Sequence, residues 1–302
     1  MSLKGSFSHM NAGGKFILFL LSILIGYIVV VVFSVLFILL YSSIAGGSPT
    51  DYSTLVNEPD KLIVINSFAT IFTFLFPALL CAHLFSSTPS SYLASNHYPS
   101  SIILMITFVS MIIILPFISL IATWNDAIHF PEWMSFIETA LREQQKMLAE
   151  MMEKVTVMDG IPGLIGVLFC MAVLPAICEE FFFRGFLQRF IQELTKRKHL
   201  AVWVTAVIFS TIHFEFFAFI PRLLLGAWLG YLLVYTRSIW ISVAAHFTNN
   251  AAFIILLYLE QRGIVGKEAE LFGTGDTLWI SLISLLLFIG AQRIAISRAT
   301  RE

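Results

Sequence analysis

The chain has 302 residues, of which 58% are hydrophobic and 12% charged, with a mean hydropathy of +0.87. A soluble domain normally carries about 25% charge, so a water-facing globule of this length could not cover its surface, and the composition implies a bilayer as solvent. The net charge of −1 does not identify a partner, and no basic cluster suited to nucleic acid is present.

A spanning helix needs about 20 mainly apolar residues. Eight stretches meet that requirement: 16–43, 62–86, 101–124, 162–190, 200–217, 219–236, 239–259 and 277–296. The expected fold is therefore all-α, a polytopic bundle of about eight transmembrane helices. The first apolar run, Phe16 to Tyr41, is longer than a signal-peptide core and no clear small-residue cleavage site follows it, so it is read as an uncleaved helix. Pro116 interrupts the third span, which is tolerable where neighbouring groups recapture the freed carbonyl. The fifth and sixth spans are separated only around Ala218 to Pro221 and must form a tight hairpin. Cys81, Cys170 and Cys178 sit in apolar runs without zinc-type spacing and are read as inert thiols.

Residues 131–155 differ from the spans. Trp133, Ile137, Leu141, Leu148, Met151 and Val155 recur at helical spacing, with Glu138, Arg142, Glu143, Lys146, Glu150 and Glu153 mostly between them. This pattern predicts an amphipathic helix between the third and fourth spans, on the outer membrane surface or over the mouth of the bundle. Three regions follow: an N-terminal three-span region with this helix (1–159), a polar-residue core (160–255), and a loop with the last span (256–302).

Charge distribution gives an orientation. With the amino terminus inside, inner segments hold Lys4, Lys15, Arg189, Lys196, Arg197, Lys198, Arg237, Arg293, Arg298 and Arg301 against Glu193 and Glu302. Outer segments hold Asp51, Glu58, Asp60, the acidic stretch from Asp126 to Asp159, Glu260, Glu268, Glu270 and Asp276. The positive-inside rule then places both termini in the cytoplasm, and the expected location is a bacterial inner membrane.

Three spans carry polar residues at depth. The fourth holds Glu179, Glu180 and Arg184, the fifth His213 and Glu215, and the seventh His246, Asn249 and Asn250. A charge at mid-bilayer costs roughly 2.5–3.5 kcal/mol on insertion scales, so three such spans imply one shared polar cavity. Glu180 and Arg184 are four residues apart and stack on one face as an ion pair. Glu179 is rotated about 100° from Glu180 and needs another companion. The economical packing brings Glu179, His213, His246 and Asn250 around one pocket in the inner half of the bilayer or near its midplane. There a desolvated glutamate could deprotonate a water, and histidine and asparagine N–H groups could stabilise the oxyanion formed on a peptide carbonyl. The alternative uses zinc held by Glu179, His213 and His246, although no His-Glu-x-x-His motif is present.

The pattern Glu-Glu-x-x-x-Arg (Glu179, Glu180, Arg184), Phe-x-x-x-His (Phe209, His213) and His-x-x-x-Asn (His246, Asn250) resembles the CPBP family of intramembrane proteases, also called the CAAX-protease, bacteriocin-processing or Abi family. The resemblance covers roughly residues 160–255 and is closest to bacterial members. It implies that Glu179 activates water with help from His213, that His246 and Asn250 form the oxyanion hole, and that Glu180 with Arg184 supports the site. It implies a peptide or protein substrate in lipid and a mechanism with no required cofactor, zinc remaining the alternative.

Other polar groups have plainer readings. Asn249 packs between helices, Glu215 faces the outer interface, and Gly226 with Gly230 forms a helix-packing face. Arg222 either snorkels or receives a substrate carboxylate. An ion-coupled transporter and a catalytically silent scaffold, of immunity or chaperone type, are the rival functions. The first would show inverted repeats, and none is visible.

Overall fold

The computed structural model describes residues 3–45 and 59–301. Asp51, Glu58 and Glu302 of the charge argument lie outside the described residues. Among these residues the secondary structure is helical throughout, with no strand. The helices are α1 (Ala12–Ile44), α2 (Lys61–Phe85), the pair α3 (Ser101–Ile113) and α4 (Leu115–Asp126), α5 (Ser135–Val155), α6 (Gly160–Thr195), α7 (Lys198–Thr211), α8 (Phe216–Thr236), α9 (Ile239–Gln261) and α10 (Gly275–Ala299). Six of them, α1, α2, α6, α8, α9 and α10, are long and apolar enough to cross a membrane, and the α3–α4 pair, bent by 44°, makes a seventh. The chain is an integral multi-pass membrane protein. The exposed Leu24, Ile25, Leu36, Leu40, Leu286 and Leu287 are its lipid-facing side chains.

The expected fifth span is the one that differs. Residues 200–217 are apolar, yet α7 stops at Thr211 after 14 residues. At 1.5 Å per residue it is about 21 Å long, short of the roughly 30 Å hydrocarbon thickness. The chain turns at Ile212 to Glu215, with Phe214 in the left-handed region at φ 55°, and returns as α8. Hydropathy registers only apolar length and cannot see a turn made inside the bundle.

Prolines explain the irregular backbone. A proline ring collides with the carbonyl four residues back. For Pro77 that carbonyl belongs to Thr73, and for Pro175 to Met171. Each lies at the centre of a π-helical segment, Ile71–Leu75 and Phe169–Val173. The wider π turn absorbs the clash without breaking the span. At Pro116, by contrast, a new helix starts at Leu115, producing the α3–α4 bend. A further π segment, Phe181–Gln188, follows directly after Glu180.

Aromatic packing sets α6 in place. Phe182, Phe183, Phe186 and Phe190 are buried with Phe19 of α1 and Phe85 of α2, and the Phe19–Phe186 ring centroids are 4.6 Å apart. On the other side, α7 and α8 pack closely because of the paired glycines. A Cβ on Gly226 would lie 3.1 Å from Phe209 Cδ1 and 3.4 Å from Ala206 Cα. One on Gly230 would meet Val202 Cγ1 at 3.1 Å. The Gly-x-x-x-Gly reading therefore holds, and the backbone of α8 is bared to its neighbours.

Candidate active site

The centre of the site is a guanidinium sealed from solvent. Arg184 and Glu180 are both 0% exposed. Arg184 Nη1 donates to Glu180 Oε1 at 2.7 Å, and Nη2 donates to the Gly226 carbonyl at 2.9 Å. Its guanidinium carbon also stands 4.5 Å from the centroid of the Phe209 ring, a cation–π contact. The intrahelical pair expected from the four-residue spacing is present, and the glycine face of α8 is what lets the arginine reach backbone.

One turn further along α6 the same device recurs. Gln188 is buried, and its Nε2 donates to the Gly230 carbonyl at 3.1 Å. Arg184 and Gln188 are four residues apart, as are Gly226 and Gly230, so two side chains of α6 clip to two carbonyls of α8. Gln188 was not singled out from the sequence. Its signal was that matching interval, which becomes meaningful only once the two helices are known to face each other.

The histidines divide differently from the sequence expectation. His246 Nδ1 lies 2.9 Å from Glu180 Oε1, so its hydrogen-bond partner is Glu180, and Glu180 bridges Arg184 and His246. A carboxylate only accepts, so Nδ1 carries the proton and Nε2 faces away from the pair. His213 sits on the turn after α7, where its Nδ1 donates to the Phe209 carbonyl at 2.7 Å. Its ring is also left with Nε2 outward. The Phe209 ring lies between them, with centroids 5.0 Å from His213 and 5.9 Å from His246.

Glu179 has no such companion. Among the described residues its Oε2 is buried and without a hydrogen-bond partner. It sits near the middle of α6. Asn250 stands one turn beyond His246 on α9, and its Oδ1 accepts from Asn249 Nδ2 at 3.4 Å, so the two asparagines are neighbours rather than opposed. The structure thus joins Glu180, Arg184 and His246 by direct bonds and gives no hydrogen bond from Glu179 to His213, His246 or Asn250. Among the described residues no three His, Cys, Asp or Glu side chains form a group that could hold a metal ion.

Near the rim, Glu215 also differs from expectation. Glu215 does not simply face outward: it accepts an ion-pair hydrogen bond from Arg222 Nη2. Arg222 Nη1 is buried and has no hydrogen-bond partner among the described residues.

Helix α5 covers the turn that carries His213 and Glu215. Gln144 Nε2 donates to the Phe214 carbonyl at 2.9 Å, and the Arg142 guanidinium lies 3.4 Å over the Phe217 ring. Arg142 Nη1 is fixed by Asp126 Oδ1 at 2.7 Å. Asn125 clamps the start of α8, with Nδ2 to the Phe216 carbonyl at 3.2 Å and Oδ1 accepting the Ile220 N–H at 2.7 Å. The amino end of α5 is held by Glu138, whose carboxyl the Phe130 N–H and then His129 keep below its ordinary value of 4.5. On the flank of α6 and α9 an apolar groove of about 490 Å³ is lined by Leu104, Val173, Ile177, Val243, Ala244 and Phe247, among others. Ile177 and Val243 lie one turn before Glu180 and His246, so the groove borders the site.

Comparison with known proteins matches the stretch of chain that carries these residues. Residues 161–252 match the family model of the type II CAAX prenyl endopeptidase Rce1-like proteins, a stretch that contains Glu179, Glu180, Arg184, His213, His246 and Asn250. The chain is similar to the uncharacterized protein YyaK of Bacillus subtilis (strain 168), with 30% identity over 125 residues, covering 37% of this chain and 42% of that one. The match thus spans less than half the length of that relative. No solved structure matches the chain. The resemblance to the CPBP/CAAX protease family read from three motifs is supported over the helices that build the site.

Proposed function

We propose that this protein is an intramembrane endopeptidase that hydrolyses a peptide bond of a membrane-associated protein or peptide, in the CAAX-protease manner. The observation that carries the reading is Glu179: it has a buried carboxylate oxygen without a partner among the described residues, and it lies one residue from a carboxylate whose Oε1 is bonded by both Arg184 and His246. A structural carboxylate in a membrane core is paired, and an unpaired one is available as a base.

In this reading Glu179 removes a proton from a water while the water oxygen attacks the scissile carbonyl carbon. The outward Nε2 of His213 helps to hold that water, its tautomer set by the Phe209 carbonyl. The new oxyanion is stabilised by the Asn250 amide and by His246 in its protonated form. Glu180 supports that charge through Nδ1, and Arg184 in turn neutralises Glu180. The proton held on Glu179 passes to the leaving amine as the C–N bond breaks. No step uses a metal. The apolar groove beside α6 and α9 suits a substrate that arrives from lipid. The charge bias favours a bacterial inner membrane with both termini cytoplasmic, an orientation that requires the short α7 to carry the chain across before α8 returns.

A second reading rests on the His246–Glu180 contact. Neutral His246 with Nδ1–H held by a carboxylate presents a basic Nε2 and could itself be the general base. Both readings are tested with a prenylated CAAX peptide and the purified protein in liposomes. Glu179→Ala is expected to abolish cleavage while melting like the wild type. Retention of wild-type rates by that variant refutes Glu179 as base and leaves His246, and stoichiometric zinc in the purified protein would replace the metal-free route. A biological phenotype indifferent to both Glu179 and His246 substitution would favour the scaffold reading.

A further inference from the structure

Helix α5 takes no part in the proposed mechanism, and its surface is unlike that of a helix in water. At about 100° per residue, Phe136, Met147, Met151, Ile137, Leu148 and Leu141 fall within one arc of about 140°, and Arg142, Lys146, Glu150 and Glu153 take the opposite side. Leu141 and Leu148 turn their part of the arc to the protein, where they line a small cavity with Phe214, Phe216 and Phe217. The rest of the arc is uncovered: Phe136 is 71% exposed, Met147 70% and Met151 44%. Trp133, just before the helix, is 76% exposed. Glu143 and Lys154 stand at the edge of the arc, where the charged ends of their side chains reach water.

Two clamps lay α5 across one end of the bundle. Arg142 Nη1 donates to Asp126 Oδ1 at the end of α4 at 2.7 Å. Beyond the other end of α5, Gln261 Nε2 of α9 donates to the Thr156 carbonyl at 2.9 Å, and the Met158 N–H donates to Gln261 Oε1 at 3.3 Å. Between the clamps, the bond from Gln144 to the Phe214 carbonyl seats the middle of the helix on the turn that closes α7. That turn is where the bundle is thin. α7 has 14 residues, about 21 Å of helix, which leaves up to about 9 Å of the roughly 30 Å hydrocarbon layer unspanned. An α-helix with its side chains is about 10 Å across, so α5 lying flat on the turn fills that depth.

We infer that α5 is embedded in the lipid leaflet at the α7–α8 turn, with Trp133, Phe136, Met147 and Met151 against acyl chains and the charged side toward water. The partner of this face is the lipid itself. A helix lying in the plane of the interface carries this split of apolar and charged sides. Tryptophan favours the headgroup level, and Trp124 at the end of α4 is exposed as Trp133 is. The charges of α5, Glu138, Glu143, Glu150 and Glu153 against Arg142, Lys146 and Lys154, nearly balance, so zwitterionic lipid suffices and no anionic headgroup is required. In this position α5 completes the membrane thickness over the turn that carries His213 and seals that turn from the water on its side. The inference stands without the peptidase reading.

A second copy of the chain is the competing occupant of this face, and the test separates the two. Nitroxide labels are placed one at a time at Phe136, Met147, Ala149 and Glu153 of the full-length protein in phosphatidylcholine liposomes, with Cys81, Cys170 and Cys178 replaced by alanine. Collisions with oxygen, which concentrates in lipid, are compared with collisions with a water-soluble nickel chelate. The oxygen-to-nickel ratio is expected to be about tenfold higher at Phe136 and Met147 than at Ala149 and Glu153. A ratio alike at all four sites would place the helix in water and overturn the inference. Shielding of the Phe136 and Met147 labels from both reagents would assign the face to a second copy and overturn it as well. Met147→Glu in the otherwise native chain needs no label. Its side chain is away from the turn, so a helix held by protein contacts alone keeps the turn protected. A helix held by lipid should instead let residues 212–218 exchange hydrogen about tenfold faster in the same liposomes, and unchanged exchange would count against the inference.

Discussion

Removal of Arg184 isolates the energetics on which the site depends. Arg184→Ala leaves Glu180, 0% exposed, with His246 as its remaining partner, and takes from the Gly226 carbonyl the 2.9 Å donor that links α6 to α8. Breaking a buried ion pair from one side costs about 3–5 kcal/mol, because the surviving charge is left uncompensated. Glu180→Gln alone strands the guanidinium and belongs in the same range. The double variant removes both charges, and His246 Nδ1–H can still donate to the amide oxygen. It should therefore be more stable than the Arg184→Ala single variant by roughly 1–3 kcal/mol, a strongly non-additive cycle. Thermal melts of the four proteins in one detergent give the ordering without reference to activity. Additive losses, with the double variant melting lowest, would show that Glu180 is not held as a buried charge and would refute the bridging role assigned to it.

Two further outcomes follow from the packing. Gly226→Ala places a Cβ 3.1 Å from the Phe209 ring that lies against Arg184; over-packing of this kind costs about 1–3 kcal/mol, and a melt unchanged from wild type would contradict the close α7–α8 approach. Glu138 has its carboxyl depressed by the Phe130 N–H and His129, so its contribution to holding α5 is present above its ordinary value of 4.5 and is lost as pH falls below it. Hydrogen exchange in the first turns of α5 should rise as pH is lowered from 5 to 3, after correction for intrinsic rates. Glu138→Gln should abolish that step, and coincident profiles for the two proteins would remove Glu138 from the account.

The site was partly legible because burying charge in lipid is costly. Glu179, Glu180, Arg184, His213, His246 and Asn250 stood out against apolar spans, and the four-residue interval sufficed to pair Glu180 with Arg184. It did not suffice to say which glutamate His246 would meet. A difference of about 100° between neighbouring side chains decides nothing until the rotation of a second helix is known, and that rotation is set by aromatic packing of α6 against α1 and α2. The partnership of Arg222 with Glu215 was hidden for a related reason. The two residues are seven apart across a turn that apolar length alone reads as continuous span.

Composition and spacing by themselves determined that this chain lives in a membrane, that residues 131–155 form an amphipathic helix, and that three apolar segments carry polar residues at depth. Each is a matter of transfer free energy or of helical period, and both are properties of local sequence. The tertiary structure alone decided that α7 stops short of a full span, that Gly226 and Gly230 expose carbonyls to Arg184 and Gln188, that Glu180 Oε1 bridges Arg184 and His246, and that Glu179 Oε2 is buried without a hydrogen-bond partner among the described residues. Those facts depend on which faces of separate helices meet, and that is settled by packing across long sequence separations.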